Sequence, residues 1–316
     1  MSDPQRALEL LVNPSAGGGR AGRLLGAMTR ELERAGFTVN VHRLGGRSQV
    51  APLVRSLVEA RAPVIASMGG DGTFHDVLNG LRNEDGSLLP SDGTAFALIP
   101  AGTGGDLAAR TLRMPSDPAA VGRYLSRASP RPFDLGKLQF TGNDDAPAVR
   151  FFVNIASFGI SGRVDRLVAE GPTWLGGKAA YFVASLRATL GWRHQPVKVL
   201  VDGETLYEGP ILTVAVCNGR SFGGGMLIAP DAAPDDGMFD VVVLGDLTFG
   251  QQTLLSGKLY QGRHLGERGV THGRGRVVEV HTRHPSVLLD VDGETPGRVP
   301  GTFTLLPGAV KLLGAA

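Results

Sequence analysis

The sequence predicts an α/β protein of two domains, in which a parallel, three-layer N-terminal domain is followed by a β-rich, sandwich-like domain. Up to Phe133, short apolar runs alternate with helical patterns, which is typical of a parallel sheet crossed by helices. Beyond "PRPFDLG", at residues 130–136, strand-like segments lie closer together and carry more β-branched residues, which favours antiparallel pairing. A chain of 316 residues with 42% hydrophobic content can form both cores.

The first domain, residues 1–133, is predicted to alternate strands and helices. Apolar runs predict strands over residues 7–13, 37–44, 63–68 and 95–100. Helical spacing of apolar residues predicts helices over residues 22–36, 50–60, 74–81 and 107–112. The first of these helices places four apolar side chains on one face: Leu24, Leu25, Met28 and Leu32. Each predicted strand therefore leads into an amphipathic or apolar helix, as a parallel sheet requires.

The second domain, residues 134–301, is predicted to be mostly antiparallel. Strands are expected over residues 151–159, 197–203, 211–219, 239–245, 277–282 and 286–293, with helical segments at 178–190 and 249–260. The C-terminal segment, residues 302–316, can pack on either domain, and one arrangement returns it to the first. An exposed edge strand in the second domain could pair two copies of the chain, so a homodimer is possible.

Composition excludes several functional classes. The formal net charge of +2 and the lack of a dense basic run give no reason to expect a nucleic-acid partner. No apolar run reaches the roughly 18 residues of a membrane span, and the N-terminus lacks the apolar segment of a secretory signal. We therefore expect a cytoplasmic protein. A single cysteine, Cys217, excludes an intramolecular disulfide, and its surroundings favour a buried strand thiol.

Three glycine-rich turns follow predicted strands of the first domain. "NPSAGGGR" follows the first strand, "GGDGT" the third and "AGTGGD" the fourth, in a chain with 46 glycines, about twice the average share. In open α/β sheets, ligands bind outside the carboxyl ends of the strands. Glycine lets the backbone N–H groups approach phosphate oxygens, and the following helix adds the positive end of its dipole. The turns are consistent with phosphate binding, although glycine can also serve the shape of a turn alone.

Asp71 stands between glycines in the second of these turns, and Asp106 occupies the third. One interpretation makes Asp71 the N-cap of the following helix. The other makes both carboxylates ligands of Mg²⁺, which prefers oxygen donors and offsets the charge of a nucleotide in phosphoryl transfer. A cap needs no glycine on both sides, so we favour the functional interpretation.

These motifs occur together with others in a characteristic order. "NPSAGG", "GGDGTFHDVLNGL" and "IPAGTGGDLAAR" in the first domain precede "VAVCNGRSFGGGMLIAPDAAPDDGMFDVVVL" and "LLDVDGET" in the second. Across nearly the whole chain, this series resembles the diacylglycerol kinase and sphingosine kinase superfamily. NAD kinases and phosphofructokinases share only a related GGDG core.

The resemblance implies an ATP-dependent kinase that uses Mg²⁺ to phosphorylate a lipid hydroxyl in a cleft between the two domains. Diacylglycerol, giving phosphatidic acid, is the expected acceptor, and contact with the membrane would be peripheral. The residues assigned to the nucleotide are Asn13, Gly69, Gly70, Asp71, Gly72, Thr73, Phe74, His75, Gly102, Thr103 and Asp106. Asp134 would join Asp71 and Asp106 at Mg²⁺, and a structural metal would use Asp236 with the carbonyls of Ala233 and Met238.

The general base has two candidates. Glu294, in "VDGE", matches the family's proposed base, and a carboxylate within reach of a hydroxyl can accept its proton. The same segment can be a simple hairpin turn, because Asp-Gly favours one and "VDGE" also occurs at residues 201–204. Asp71 remains the other candidate base.

Some positions depart from the family's pattern. Gly105 stands where many members have asparagine, and Ser48 is only a weak match for a nucleotide-contacting hydroxyl. "SFGGGM", residues 221–226, is equally a bulge or part of the cleft lining. The remaining alternatives are a sphingoid or ceramide-type lipid kinase, a kinase for a soluble substrate such as NAD, and a binding protein without catalysis.

Overall fold

The computed structural model describes residues 6–102, 105–169, 193–284 and 287–314. The chain divides into two compact units, one formed by residues 1–133 with 308–316 and the other by residues 134–307. The predicted fold class is confirmed: a parallel α/β unit is followed by a β-rich unit.

The first unit alternates strands and helices in chain order. Its strands are β1 (Arg6–Val12), β2 (Phe37–Arg43), β3 (Val64–Gly69) and β4 (Ala95–Pro100). Its helices are α1 (Ala16–Arg34), α2 (Val50–Glu59), α3 (Asp71–Asn79) and α4 (Pro118–Arg127), with a 3₁₀ turn at Arg47–Gln49 and a π-helical turn at Asp106–Thr111. The predicted strand at 95–100 agrees at both ends, and residues 107–112, expected to be α-helical, lie largely in the π-helical turn.

The strands of the first unit pair in parallel in the order β2-β1-β3-β4. Val64 to Gly69 of β3 pair with Ala95 to Pro100 of β4, so the two strands end at the same level. Lys311 and Leu312, near the C-terminus, add a parallel pairing to β4. The carboxyl ends of β1, β3 and β4 therefore lie at one edge of the sheet, where each strand enters a glycine-rich turn.

Helices α1 and α4 begin for different local reasons. In α1 the first turn is irregular, because Gly17, Gly18 and Gly19 adopt positive φ angles of 62°, 61° and 82°, which glycine tolerates without strain. Regular helix follows, and Leu25, Met28 and Leu32 are buried as predicted, whereas Leu24 is only half-buried. In α4, the Asp117 carboxylate accepts the Ala120 N–H at 3.0 Å and Pro118 occupies the first helical position, a standard N-terminal cap.

The second unit consists mainly of strands. They are β5 (Pro130–Gly142), β6 (Pro147–Phe152), β7 (Ile155–Gly159), β8 (Gln195–Val201), β9 (Glu204–Ile211), β10 (Thr213–Cys217), β11 (Phe239–Leu244), β12 (Val270–Gly275), β13 (Val277–His281), β14 (Leu289–Val291) and β15 (Gly297–Leu313). In the described part of this unit, two helices accompany the strands, α5 (Ile160–Ala169) and α6 (Phe249–Gln261). The first residues of β5 and the last of β15 belong to the first unit.

Two sheets of the second unit pack face to face. One has the order β6-β5-β15-β13-β8-β9, and the other the order β12-β11-β10-β7-β14. A shared core contains alternate residues of both sheets, including Val199 and Phe303 from the first and Phe158 and Val241 from the second. Phe158 and Phe303 stack with ring centroids 6.1 Å apart. This arrangement confirms the sandwich-like domain, because alternating side chains of each strand face the partner sheet.

Helix α6 covers the outer face of the second sheet. Leu255 and Leu259 are buried against apolar side chains of that face, among them Ala215 and Val242. The Thr248 hydroxyl accepts the Gln251 N–H at 3.4 Å, and the Gln251 side-chain oxygen accepts the Thr248 N–H at 2.8 Å, forming a capping box. The helix ends where Gly262 turns to a left-handed φ of 67°.

Several elements were not anticipated from the sequence. Strands β5, β6, β9 and β12 lie wholly or largely outside the segments assigned to strands, and the more exposed residues of β6, β9 and β12 carry weaker apolar patterns. The predicted helical segment at 178–190 lies outside the described residues. Among those described, no helix combines the length and apolar character needed to cross a bilayer.

The thiol of Cys217 should be inert in the folded protein. Cys217 lies in β10 and is completely buried; burial raises the pKa of its thiol well above the usual range, and the nearby Asp240 carboxylate raises it further. Since the thiolate is the reactive form, we expect the native protein to react with a disulfide reagent such as DTNB at least about 100-fold more slowly than the urea-unfolded protein. Rapid stoichiometric labelling of native protein would contradict this assignment.

Candidate phosphate-binding site

The three glycine-rich turns meet at the carboxyl edge of the first unit's sheet. A Cβ atom on Gly102 would lie 2.6 Å from Gly70 Cα, and one on Gly17 would lie 2.4 Å from the Ala101 carbonyl oxygen. The Ala101 and Gly102 N–H groups donate to the Gly69 carbonyl at 2.7 and 2.9 Å. These backbone contacts bring together the turns that follow β1, β3 and β4, and no side chain can enter at the two points of closest approach.

In the first turn, Asn13 shapes the backbone. Its side-chain oxygen accepts the Ser15 N–H at 3.2 Å and the Ser15 hydroxyl at 2.8 Å, while its own N–H donates to the Met68 carbonyl at 3.2 Å. The turn is therefore tied to the end of β3 before it enters the positive-φ glycines of α1. Asn13 thus holds the first turn beside the glycine junction, the point where Gly17, Gly70 and Gly102 bring the three turns together.

In the second turn, Gly70 is the N-cap of α3. Its carbonyl accepts the N–H groups of Thr73 and Phe74 at 3.0 and 3.3 Å, and no side chain caps this helix. Gly69 must be glycine, because a Cβ there would lie 2.3 Å from the Thr73 hydroxyl oxygen. The start of α3 is thereby placed against the third turn at Gly102.

Phe74 and His75 have a different position from the one predicted for nucleotide ligands. Both side chains are fully buried, and His75 Nε2 lies 3.2 Å from the Asn79 amide nitrogen. Burial leaves only main-chain atoms at these two positions for a ligand. Their side chains anchor α3 to the interior of the first unit.

Asp71 joins the second turn to the third. It is the first residue of α3, and its Oδ2 atom accepts the N–H of Leu107 at 3.0 Å. The N-cap interpretation is therefore wrong, because Gly70 occupies that position and the carboxylate reaches across to another loop. A negative charge in the first turn is also favourable to the helix dipole.

Asp106 lies next to Leu107 at the start of the π-helical turn. Its carboxylate faces Arg110, with 3.7 Å between Oδ1 and the guanidinium Nε. The neighbouring Gly105 has an extended φ of 171°, and a Cβ there would meet only Ala109 at 3.9 Å. The backbone thus does not require glycine where the family has asparagine. Thr103 lies outside the described residues.

The pair Asp71 and Asp106 suits a hard cation bound together with phosphate oxygens. Mg²⁺ commonly uses one or two carboxylates and completes its shell with water and substrate oxygens. Within the described part of the chain, no group of three or more His, Cys, Asp or Glu side chains forms a protein-only metal cluster.

Glu294 lies in the second unit, on a tight hairpin. Asp292 and Gly293 have φ angles of 51° and 89°, and Val291 and Glu294 exchange two backbone hydrogen bonds of 2.8 and 3.1 Å. The hairpin interpretation thus describes the backbone correctly, and "VDGE" at residues 201–204 also forms a turn with positive φ at Asp202 and Gly203. A hairpin is compatible with a functional side chain, because the turn fixes the position of the Glu294 backbone from which that side chain extends.

Two aspartates that the sequence did not single out hold this hairpin. The Asp292 carboxylate accepts three consecutive N–H groups, from Val153, Asn154 and Ile155, at 2.9, 3.0 and 3.0 Å. Asp290, which is buried, accepts the Gly293 N–H at 2.9 Å and the Ser157 hydroxyl at 3.0 Å. The alternating acids of "LDVDGE", residues 289–294, were the sequence pattern from which these two roles could have been predicted.

The Asp236 carboxylate, proposed for a structural metal, bonds to a backbone N–H and to an arginine in this structure. The Asp236 carboxylate accepts the Met238 N–H at 3.0 Å through Oδ1 and pairs with the Arg274 guanidinium through Oδ2. A second arginine, Arg276, donates to the Gly237 carbonyl at 3.2 Å. In this structure, Arg274 pairs with the Asp236 carboxylate and Arg276 bonds to the adjacent backbone. The assignment of Asp236, Ala233 and Met238 as metal ligands stays a prediction.

Asp134 lies in β5 and bonds to the same loop of the second unit. Its Oδ2 atom accepts the Gly237 N–H at 2.8 Å, its N–H donates to the Pro234 carbonyl at 2.7 Å, and its carbonyl accepts the Asn218 amide at 2.9 Å. These bonds give Asp134 a structural role in holding residues 234–237. They do not support its expected place beside Asp71 and Asp106 at Mg²⁺.

The structure also shows the positions of two segments whose predicted roles were weaker. "SFGGGM" forms a tight turn closed by backbone bonds between Phe222 and Met226, with positive φ at Gly223, Gly224 and Gly225, so it is not a wide bulge. Ser48 is exposed in the 3₁₀ turn after β2.

A methyl group at the glycine junction should disturb the first unit. In Gly102→Ala the new Cβ would clash with Gly70, so we expect the free energy of unfolding to fall by about 1–3 kcal/mol. Gly72→Ala is the matched control, because a Cβ there meets nothing within 4 Å and alanine favours helix. Urea unfolding measures both variants, and equal stabilities of the two would contradict the close contact.

The Asp236 loop should depend on arginine rather than metal. Arg274→Ala removes the partner of Asp236 and one partner of the buried Asp240, and should lower the free energy of unfolding by about 1–3 kcal/mol. Arg30→Ala, at an exposed position of α1, is the control. EDTA should leave the thermal unfolding midpoint of the wild type unchanged. A midpoint that EDTA lowers and Mg²⁺ restores would show instead that the loop binds a metal ion.

Comparison with protein families gives two matches that together cover most of the chain. Residues 7–138 match the family described as the diacylglycerol kinase catalytic domain. Residues 154–314 match the family described as the YegS C-terminal NAD kinase beta sandwich-like domain. The first match contains the glycine junction and the second contains the hairpin of Glu294.

Relatives and solved structures agree with these matches. The diacylglycerol kinase of Bacillus subtilis strain 168 is 27% identical over 94% of this chain and 92% of its own length. A Stenotrophomonas maltophilia K279a protein named "Probable lipid kinase YegS-like" is 30% identical over 82% of this chain and 81% of its own.

A crystal structure of a diacylglycerol kinase from Bacillus anthracis Sterne matches with a TM-score of 0.71 and 24% identity, covering 98% of this chain and 97% of that one, which supports the fold. The chain belongs to the diacylglycerol kinase family, with a diacylglycerol kinase catalytic domain followed by a YegS C-terminal domain.

Proposed function

We propose that this protein is an ATP-dependent lipid kinase that transfers the γ-phosphate to a lipid hydroxyl, with diacylglycerol as acceptor and phosphatidic acid as product. One observation carries the proposal: three glycine turns converge on the N-terminus of α3, where the Asp71 carboxylate is fixed by the Leu107 N–H. Membership of a kinase family and relatives named as diacylglycerol and lipid kinases support the acceptor class.

The glycine junction supplies binding and orientation. With no side chains at Gly70 and Gly102, the nucleotide phosphates can approach the main chain, and the positive end of the α3 dipole favours their charge. Phosphoryl transfer depends mainly on such positioning and on electrostatic stabilisation. Mg²⁺, held by Asp71 and Asp106 with phosphate oxygens, would neutralise charge that develops on the transferred group.

Proton transfer is assigned to a carboxylate. The lipid hydroxyl oxygen forms a bond to the γ-phosphorus, the bond from that phosphorus to the ADP oxygen breaks, and the hydroxyl proton passes to the carboxylate. We assign this role to Glu294, because Asp290 and Asp292 hold its hairpin rigidly. Asp71 is the alternative base. Because the Leu107 N–H holds its carboxylate beside the glycine turns, Asp71 is better suited to a role at the phosphates than to proton transfer.

The test is kinase activity in mixed micelles with labelled ATP and diacylglycerol. Asp71→Asn removes the charge beside the phosphates and should lower kcat at least about 100-fold. Glu294→Gln should lower kcat by about 100-fold or more through loss of proton transfer. Asp76→Asn is the matched control on the same helix, since Asp76 pairs with Arg47 on its surface and should leave kcat near wild type.

A substrate panel separates the alternatives. Diacylglycerol, monoacylglycerol, a sphingoid base, ceramide and NAD are compared under identical conditions. Phosphorylation of NAD alone would replace the lipid proposal with a soluble-substrate kinase. Nucleotide binding without turnover on any acceptor would favour a binding protein.

A further inference from the structure

Helix α6 presents large apolar side chains to solvent. Among the described residues, the exposed large hydrophobic side chains are Val41 on β2 and three on α6: Phe249, Leu254 and Tyr260, which are 67%, 77% and 53% exposed. The opposite face of the helix already supplies Leu255 and Leu259 to the core. The helix is therefore apolar on both sides, which a simple surface helix is not.

The outer face of α6 also lacks charge. Gly250, Thr253, Gly257 and Gln261 are exposed with the three large side chains, and none of these seven residues is ionisable at neutral pH. Small and uncharged neighbours leave the apolar side chains accessible to a flat surface. Solitary exposed apolar residues need no explanation, whereas several along one helix mark an interaction surface.

Basic residues surround the C-terminal end of this face. Lys258, Arg263 and Arg268 are exposed, and Glu267 is the neighbouring acid, paired with Lys258 at 2.6 Å. The two arginines give the end of the patch an excess of positive charge. An apolar stripe with aromatic residues and basic neighbours is the pattern of helices that lie at an anionic membrane surface.

We propose that the outer face of α6 is a docking surface for an anionic lipid bilayer. Phe249, Leu254 and Tyr260 would enter the interface, and Arg263 and Arg268 would contact lipid phosphates. The inference rests on the proposed function, because a kinase for a bilayer lipid must reach its acceptor at the membrane.

A second copy of the chain fits this face less well. A 13-residue helix is about 20 Å long and about 10 Å wide, so one face offers about 200 Å². A standard protein interface buries about 800 Å² on each partner. A bilayer has no such requirement, because each inserted side chain contributes separately.

The experiment measures sedimentation of the nucleotide-free protein with vesicles of phosphatidylcholine alone or of equimolar phosphatidylcholine and phosphatidylglycerol. The combined substitution Phe249→Ser, Leu254→Ser and Tyr260→Ser should lower the partition coefficient at least about tenfold. Val41→Ser is the matched control, because it removes an exposed apolar side chain from the first unit. Arg263→Glu with Arg268→Glu should remove the preference for anionic vesicles.

Three outcomes would overturn the proposal. In the first, the wild type does not bind anionic vesicles, and in the second, the triple variant binds them as the wild type does. In the third, light scattering shows a wild-type dimer that the triple variant loses, so the face is a protein contact. Vesicle binding is measured without ATP, and kinase activity on detergent-dispersed diacylglycerol is measured separately. A failure of vesicle binding therefore leaves the kinase assay interpretable, and a failure of the kinase assay leaves vesicle binding interpretable.

Discussion

The backbone contact between Gly70 and Gly102 is the constraint on which the candidate site depends. β3 and β4 end at the same level, so the turns that follow them meet, and the space between is too small for a side chain. Once the turns are in contact, Asp71 can reach the Leu107 N–H, and the start of α3 faces the same junction. The candidate phosphate site thus follows from parallel strand register and the absence of a Cβ atom at Gly102.

Aspartate carboxylates organise loops in both units by the same chemistry. Asp71 accepts an N–H from a neighbouring turn, Asp292 accepts three consecutive N–H groups, and Asp202 accepts those of Arg276 and Val277. Each bond satisfies backbone donors that lie outside regular pairing, where an unpaired group would be costly. In the second unit, Asp236 pairs instead with Arg274, so a loop that resembles a metal site is neutralised by a guanidinium.

Much of the fold was predictable because its signals are local. Apolar runs, helical spacing and glycine turns identified the strands and helices of the first unit, and the predicted strand at residues 95–100 agrees at both ends. Strand β9 was missed, since its largely exposed residues weaken the alternation of apolar residues. Phe74 and His75 were assigned to the ligand from their motif, yet the helix turns both side chains into the interior.

By itself, the sequence determined the order of elements, the three glycine turns and the family resemblance, because these depend on residues close together in the chain or on the order of motifs. Only the tertiary structure decided that Asp71 joins two turns, that Arg274 pairs with Asp236, and that Asp290 and Asp292 hold the Glu294 hairpin. The physical reason is that hydrogen bonds and ion pairs join residues tens of positions apart, and their partners are set by strand register and packing.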